Sequence, residues 1–295
     1  MTQSLPHLPV LLEETIFQLY TDPDGIYLDG TVGFGGHAEA LLAKLSKHGQ
    51  LIGVDLDPYA LEYTEKRLSA PQNSYSLHNG NFREYPILLQ TLGVGKLTGI
   101  LFDLGSSSSQ FNTGRRGFSF QEDAPLDMRF NPNGKLSAHD FLNNEHEEEI
   151  SNVIRDYGEE RHHRKIAKLI FQAAKLGEMN TTFDLKQVVS KCAHPRYLTK
   201  SLARVFQAIR IKVNDELNSL KDALTSSTQW LKSSGRIAVI SFHSLEDRRV
   251  KQIFREGSSS GLLKILTKKP VTPSDEEIHG NPRARSAKLR VAEKI

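Results

Sequence analysis

Cysteine is almost missing from this chain. Cys192 is the only one in 295 residues, which excludes an intramolecular disulfide and a cysteine-rich zinc site and fits a reducing compartment such as the cytoplasm. Long apolar runs are missing as well. Nothing approaches the roughly 18 consecutive apolar residues of a membrane span, so no membrane partner is expected. The opening MTQSLPHLPVLLEETIF has no basic stretch, and Glu13 and Glu14 interrupt its apolar run, which argues against a secretory leader. Charge of one sign is scarce: the net charge of +3 does not by itself mark a nucleic-acid binder. A mean hydropathy of −0.42 points to a soluble globular chain, long enough for one large domain or a core carrying a smaller insertion.

What is present begins with a rhythm. Short apolar runs alternate with helical periodicity over the first hundred residues. Gly25–Asp29 reads as a strand, Ala38–Leu45 as a helix and Leu51–Asp55 as a second strand. A helix opened by Pro58 at its favoured first position follows, running to about Leu68. A weak strand at Tyr75–His78, a helix over Glu84–Leu92 and a strand at Ile100–Asp103 continue the pattern. Strands that alternate with helices imply a doubly wound parallel sheet. The rhythm then stops. From Gly105 to about Thr199 no strand is expected. A long loop precedes helices from about Asn144 (with Glu147 placed for a capping box) to Gly158, over Arg161–Leu176, and over Phe183–Cys192. The pattern resumes with one long helix over about Leu202–Leu231, a strand at Gly235–Phe242, a helix at Leu245–Phe254, and a final antiparallel pair, Leu262–Leu266 with Lys288–Ala292. Residues 1–104 and 201–295 are thus expected to form the α/β core and 105–200 a helical insertion.

The sharpest local signal is Asp29-Gly30-Thr31-Val32-Gly33-Phe34-Gly35-Gly36-His37, between a strand and a helix. Glycines there allow positive φ and close approach of backbone to ligand, as in dinucleotide enzymes. Asp29 separates the two cases. A carboxylate against that loop would repel a pyrophosphate, but suits the ammonium group of S-adenosyl-L-methionine, which has no phosphate. Asp55 closes the second strand about 20 residues on, where an acidic side chain accepts the ribose hydroxyl hydrogens. Asp103 closes the fourth strand, beside the first at the switch point of the sheet. It is either a cofactor partner, an acceptor for the reacting group, or a turn aspartate. Phe82 either packs on the adenine or belongs to the core. His37 either caps the loop or touches the ligand.

These residues, taken along the whole chain, resemble the RsmH/MraW family of bacterial 16S ribosomal RNA cytosine-N4 methyltransferases. The resemblance rests on His7-Leu8-Pro9-Val10-Leu11-Leu12, the glycine loop, Asp55-Leu56-Asp57-Pro58, Asp103-Leu104-Gly105, Arg116-Gly117-Phe118-Ser119-Phe120 and Pro125-Leu126-Asp127-Met128-Arg129. It continues through Gly158-Glu159-Glu160-Arg161, Phe206–Leu217, Ser241-Phe242-His243-Ser244-Leu245-Glu246-Asp247-Arg248 and Arg283–Arg290. It implies a class I methyltransferase, a Rossmann-like doubly wound sheet, with a helical insertion that recognises RNA. It implies S-adenosyl-L-methionine as cofactor, contacted by Gly35, Gly36, His37, Asp55, Phe82, Asp103 and Gln110. The implied substrate is N4 of a cytidine in the decoding region of 16S rRNA, in the setting of the small ribosomal subunit. The chain departs from the family pattern at Ser106 and Ser109, where valine and proline are usual. That exchange should loosen the segment carrying Gln110.

Methyl transfer to an exocyclic amine needs position and an acceptor for the amine hydrogens. Many amino-methyltransferases use an Asn/Asp-Pro-Pro-aromatic tetrad after strand four, which this chain lacks. Asp103 is the first candidate acceptor, and His243, after strand five, the second. Phe118 and Phe120 are either stacking platforms for a splayed base or core aromatics. Arg161, Arg164 and Lys165 form a basic run in the insertion that is either a phosphate contact or a solvated helix face. No His, Cys, Asp or Glu spacing is diagnostic of a metal site, and the sequence fixes no oligomeric state. Two other classes compete. A nicotinamide oxidoreductase shares the glycine loop but not Asp29, and a non-catalytic RNA-binding module would not need Asp55.

Overall fold

The computed structural model describes residues 8–68, 74–105 and 116–295. The chain divides into two compact units, one of Met1–Gly105 with Leu217–Ile295, the other of Ser106–Glu216.

The first unit is built on a seven-stranded sheet in the order β3-β2-β1-β4-β5-β7-β6. Its strands are β1 (Ile26–Asp29), β2 (Gln50–Asp55), β3 (Ser74–Asn79), β4 (Leu97–Asp103), β5 (Leu231–Ser241), β6 (Leu263–Ile265) and β7 (Lys288–Lys294). The first five are mutually parallel, and β7 lies antiparallel between β5 and β6. The final antiparallel pair read from sequence is therefore present, with β7 also closing onto β5.

Alternation within the strands divides the core in two. Tyr27, Leu51, Leu101, Ala238 and Ile240 face a cluster with α1 (Leu12–Leu19) and α2 (Gly36–Leu42). Their neighbours Leu28, Ile52, Ile100, Phe102, Ile237 and Val239 face the opposite cluster. There they meet α4 (Tyr85–Thr91), α10 (Glu216–Trp230) and α11 (Ser244–Ser259). Successive side chains of a strand point to opposite faces, so strands covered on both sides read as continuous apolar runs. The remaining helices of this unit are α3 (Pro58–Arg67), capped by Asp57, and α12 (Asp275–Gly280).

The second unit is helical: α5 (Ala138–Asn144), α6 (Glu147–Gly158), α7 (His163–Lys175), α8 (Thr182–Ser190) and α9 (Leu198–Asn214). Among its described residues the only β feature is an isolated bridge, Pro125 to Thr181. One core unites Phe118, Leu126, Phe141, Ile154, Ile170, Leu185 and Phe206.

Three sequence expectations need correction. The helix expected from about Asn144 to Gly158 is α6, which starts at Glu147, and a further helix, α5, precedes it and ends at Asn144. Among the described residues of this unit the capping boxes sit at Ser137/Asp140 and Thr181/Asp184, whereas α6 begins after His146 with no side-chain cap. The long helix expected over Leu202–Leu231 breaks at Asp215, which takes a left-handed φ of 49°. Aspartate is among the few residues that visit that region readily. The Asn214 side chain holds the break by donating to the Met128 carbonyl and accepting from the Phe130 amide, each at 2.7 Å. Arg210 meets Glu216 across it in a bidentate pair at 2.9 and 3.0 Å. Consequently the unit boundary falls at 216/217, not 200/201: α9 gives Val205, Phe206, Ala208 and Ile209 to the helical core.

Candidate active site

The site grows from the carboxyl ends of β1, β2 and β4, where strand order reverses and ligands of open α/β sheets bind. Each of these strands ends in an aspartate.

The glycine loop between β1 and α2 is held from several sides. The Gly30 amide donates to the Leu101 carbonyl at 2.9 Å, and Val32 to that of Val54 at 2.9 Å. Gly33 (φ 50°) donates to Asp55 Oδ2 at 2.8 Å, and its carbonyl accepts from Thr64 Oγ1 at 2.7 Å. Gly35 sits at φ 77°, where any Cβ would fall 2.8 Å from the Thr64 methyl. Arg67 Nη1 donates to the Phe34 carbonyl at 3.1 Å. One face of α3 therefore shapes the loop, through Thr64 and Arg67. Sequence reading missed both, because nothing local distinguishes them from other polar residues on an exposed helix.

Three carboxyl groups converge here, each raised above the ordinary aspartate range by burial. Asp29 is only 2% exposed; burial, with Asp55 nearby, lifts its pKa to about 7, and its Oδ1 accepts from the Thr31 amide at 3.1 Å. Asp55 is lifted to about 6, although it accepts from the Asp57 and Gly33 amides, both at 2.8 Å. Asp103 is raised well above the usual range, first by burial and then by the charges of Asp29 and Glu246. Its Oδ1 is buried with no hydrogen-bond partner among the described residues. Its amide donates to Thr31 Oγ1 at 2.6 Å, tying β4 to the loop.

The other candidates divide. His37 is buried, its Nε2 lying 3.1 Å from the Val10 carbonyl and its Nδ1 3.6 Å from Asp103 Oδ2. Phe82 is half-buried, with its ring 5.3 Å from that of Phe102 and packed on the sheet core. Gln110 lies outside the described residues. His243 is the N-cap of α11: its Nδ1 accepts from the Glu246 amide at 3.4 Å and its Nε2 lies 3.1 Å from Glu246 Oε1. Glu246 in turn accepts from the Phe242 and His243 amides at 2.8 and 3.2 Å. Nδ1 thus serves the capping box, while Nε2 is buried without a hydrogen-bond partner among the described residues.

In the helical unit, Phe118 is buried and stacks on Phe130 at 5.6 Å, and Phe120 meets Phe206 edge-on at 5.4 Å. Both belong to that core, which is the bland alternative for these aromatics. Arg161, Arg164 and Lys165 are exposed around the start of α7. Cys192 is half-buried, and burial raises its thiol pKa, which keeps it protonated and weakly nucleophilic.

This arrangement fits a nucleoside cofactor with positive charge and no phosphate. Buried carboxyls with raised pKa values and an orphaned oxygen are stabilised by a cation, and a pyrophosphate would be repelled. Sheet order, glycine loop and strand-end carboxylates together define a class I S-adenosyl-L-methionine-dependent methyltransferase.

Comparison with known proteins agrees. The chain matches the MraW methylase family over residues 4–295, and it belongs to that family. A "Ribosomal RNA small subunit methyltransferase H" from Caldicellulosiruptor bescii is 45% identical, with 98% of this chain and 99% of the relative covered. One of the same name from Heliobacterium modesticaldum is also 45% identical, with 98% of each covered. Among solved structures, an rRNA methylase from Streptococcus thermophilus superposes with a TM-score of 0.44 at 13% identity, covering 96% of this chain and 93% of that one. Among the described residues no helix is long and apolar enough to cross a membrane.

Proposed function

We propose that this methyltransferase modifies the exocyclic N4 of a cytidine in the decoding region of 16S ribosomal RNA, presented in the small ribosomal subunit. The relatives named for small-subunit rRNA support the substrate. The observation that carries the chemistry is Asp103: a buried carboxyl at the end of β4, beside the cofactor loop, with one oxygen unpartnered among the described residues.

When bound, S-adenosyl-L-methionine supplies an electrophilic methyl group on a positively charged sulfur, with a neutral thioether as leaving group. In this reading Asp55 accepts the ribose hydroxyls, for which each of its oxygens keeps a second lone pair. Gly35 and Gly36 let the backbone approach closely, and Asp29 faces the ammonium end. His37, Phe82 and Gln110 complete the contacts. Asp103 is raised in pKa while alone, and ionises beside a cationic ligand. As a carboxylate it accepts a hydrogen of N4. That localises a lone pair otherwise spread into the ring, and gives a place for the proton the amine sheds after transfer. His243, occupied with capping α11, acts by holding the β5–α11 turn. The helical unit serves RNA recognition, with Arg161, Arg164 and Lys165 as phosphate contacts.

The test is nucleoside mass mapping of 16S rRNA, free and in small ribosomal subunits, after incubation with the protein and cofactor. The expected product co-elutes with N4-methylcytidine, and Asp103→Ala loses turnover even at saturating cofactor. A 5-methylcytidine product, or full turnover by Asp103→Ala, defeats the proposal.

A further inference from the structure

The face of the first unit formed by α11 and the edge strand β6 carries cations that the site described above does not use. Along α11, Arg248, Lys251 and Arg255 stand at i, i+3 and i+7, which places them on one side of the helix. Beside them runs a groove of about 540 Å³ whose floor is Phe254, Leu263 and Ile265. Its rim is Lys251, Arg255, Lys264 and Lys268, drawn from α11, from β6 and from the segment after it. A second hollow of about 500 Å³ continues it along the helix, sharing Lys251 and Arg255 and adding Arg248 and the hydroxyls of Ser259 and Ser260.

The charge here is unbalanced. No acidic residue lines the first groove, and Glu256 is the only one lining the second. The nearby carboxylates are already engaged. Asp247 takes Arg290 at 2.6 Å and Lys288 at 3.4 Å, and Glu293 takes Arg236 at 3.0 Å. Lys264 reaches Glu293 only at 4.0 Å and is 67% exposed. Lys251, Arg255 and Lys268 are exposed and make no ion pair among the described residues. Neighbouring cations that repel one another without local partners are stabilised by a polyanion. An open groove with hydroxyls along its rim suits a run of phosphates, which Lys, Arg and Ser contact without reading sequence. A folded protein partner would look for a broad apolar patch, and the exposed apolar groups here are two isolated side chains, Leu262 and Ile295.

We propose that the α11–β6 groove is a second RNA-binding surface, a phosphate track that holds ribosomal RNA outside the catalytic site. The proposal rests on the RNA substrate argued above and concerns a different surface. Lys251, Arg255 and Lys268 act in binding RNA, and take no part in holding cofactor or in methyl transfer.

The experiment uses the full chain and two probes, 16S rRNA (free and in the small ribosomal subunit) and polyglutamate, with affinity measured against potassium chloride concentration. In the triple variant Lys251→Ala/Arg255→Ala/Lys268→Ala, the slope of log affinity for rRNA against log salt should fall by about 2 to 3, at about 0.7–0.9 per lost phosphate contact. The KM for RNA should rise about tenfold or more, with kcat, cofactor affinity and melting temperature unchanged. Lys251→Arg/Arg255→Lys/Lys268→Arg should restore the slope. An unchanged slope and KM in the alanine variant overturn the groove while leaving the substrate reading intact. A loss confined to polyglutamate assigns the groove to an acidic protein and equally overturns it. Failure of the wild-type protein to bind rRNA either free or in the small ribosomal subunit removes the substrate reading and the groove together.

Discussion

Cofactor affinity should depend on pH, and Asp55 sets the direction. Its carboxyl is buried at the end of β2 with a pKa near 6 in the free protein, and in the reading above the carboxylate accepts two ribose hydroxyls. Protonation removes that acceptor, so affinity should be constant well above pH 6 and fall below it. At pH 5 about ten molecules in eleven carry the proton, which predicts about tenfold weaker binding from this group alone. Asp29, near 7, titrates in the same sense and steepens the fall. Asp55→Asn keeps the shape and should remove the Asp55 part of the profile. At pH 8 it should cost about 1–3 kcal/mol of affinity, as for a lost charge-assisted hydrogen-bond pair. The same shift bears on folding. A carboxyl whose folded pKa lies above its unfolded value of 3.8 binds protons more tightly when folded. Its contribution is therefore fully present below pH 3.8 and is lost as pH rises through about 6, a change of about 3 kcal/mol for Asp55. The cofactor-free protein should accordingly lose stability between about pH 4 and 6, and Asp55→Asn should flatten that loss. Calorimetric titration from pH 5 to 8, with thermal melts over the lower range, checks both. A flat affinity profile in the wild type, or wild-type affinity in Asp55→Asn at pH 8, refutes the assignment.

Thr64→Val removes the bond to the Gly33 carbonyl while nearly keeping volume. It should weaken cofactor binding by about 0.5–1.5 kcal/mol with little change in melting temperature, as read by calorimetry. Cys192→Ser should keep most methyl transfer: the thiol is held protonated, and an amine needs no covalent step. Loss of turnover in the folded variant, with a trapped adduct on 5-fluorocytidine RNA, would point to carbon-5 chemistry instead. Neutralising Arg161, Arg164 and Lys165 together should lower RNA affinity and flatten its salt dependence by up to about 0.7–0.9 per phosphate contact, leaving cofactor binding untouched. An unaltered slope would make them a solvated helix face.

The sequence by itself determined the α/β core, because strands covered on both faces must be apolar throughout and end in turn residues. Asp29, Asp55 and Asp103 were legible for that reason: each closes an apolar run at the same end of the sheet. The glycine loop was legible because positive φ leaves few residue choices. Only the tertiary structure decided the rest. The break at Asp215 carries neither glycine nor proline, and it is held by Asn214 bonds to residues more than eighty positions away. It moved α9 into the helical unit. His243 looked like a candidate acceptor in a strand-end motif, yet its Nδ1 closes a capping box with Glu246, a choice visible only in the folded turn. Thr64 and Arg67 gained their place against the glycine loop by the packing of α3. The cations of the α11–β6 groove come from three segments that a linear reading leaves as scattered surface charge. Local pattern fixes which face of an element is buried. Which polar groups then meet across elements depends on how the buried faces are stacked, and that is a property of the folded chain.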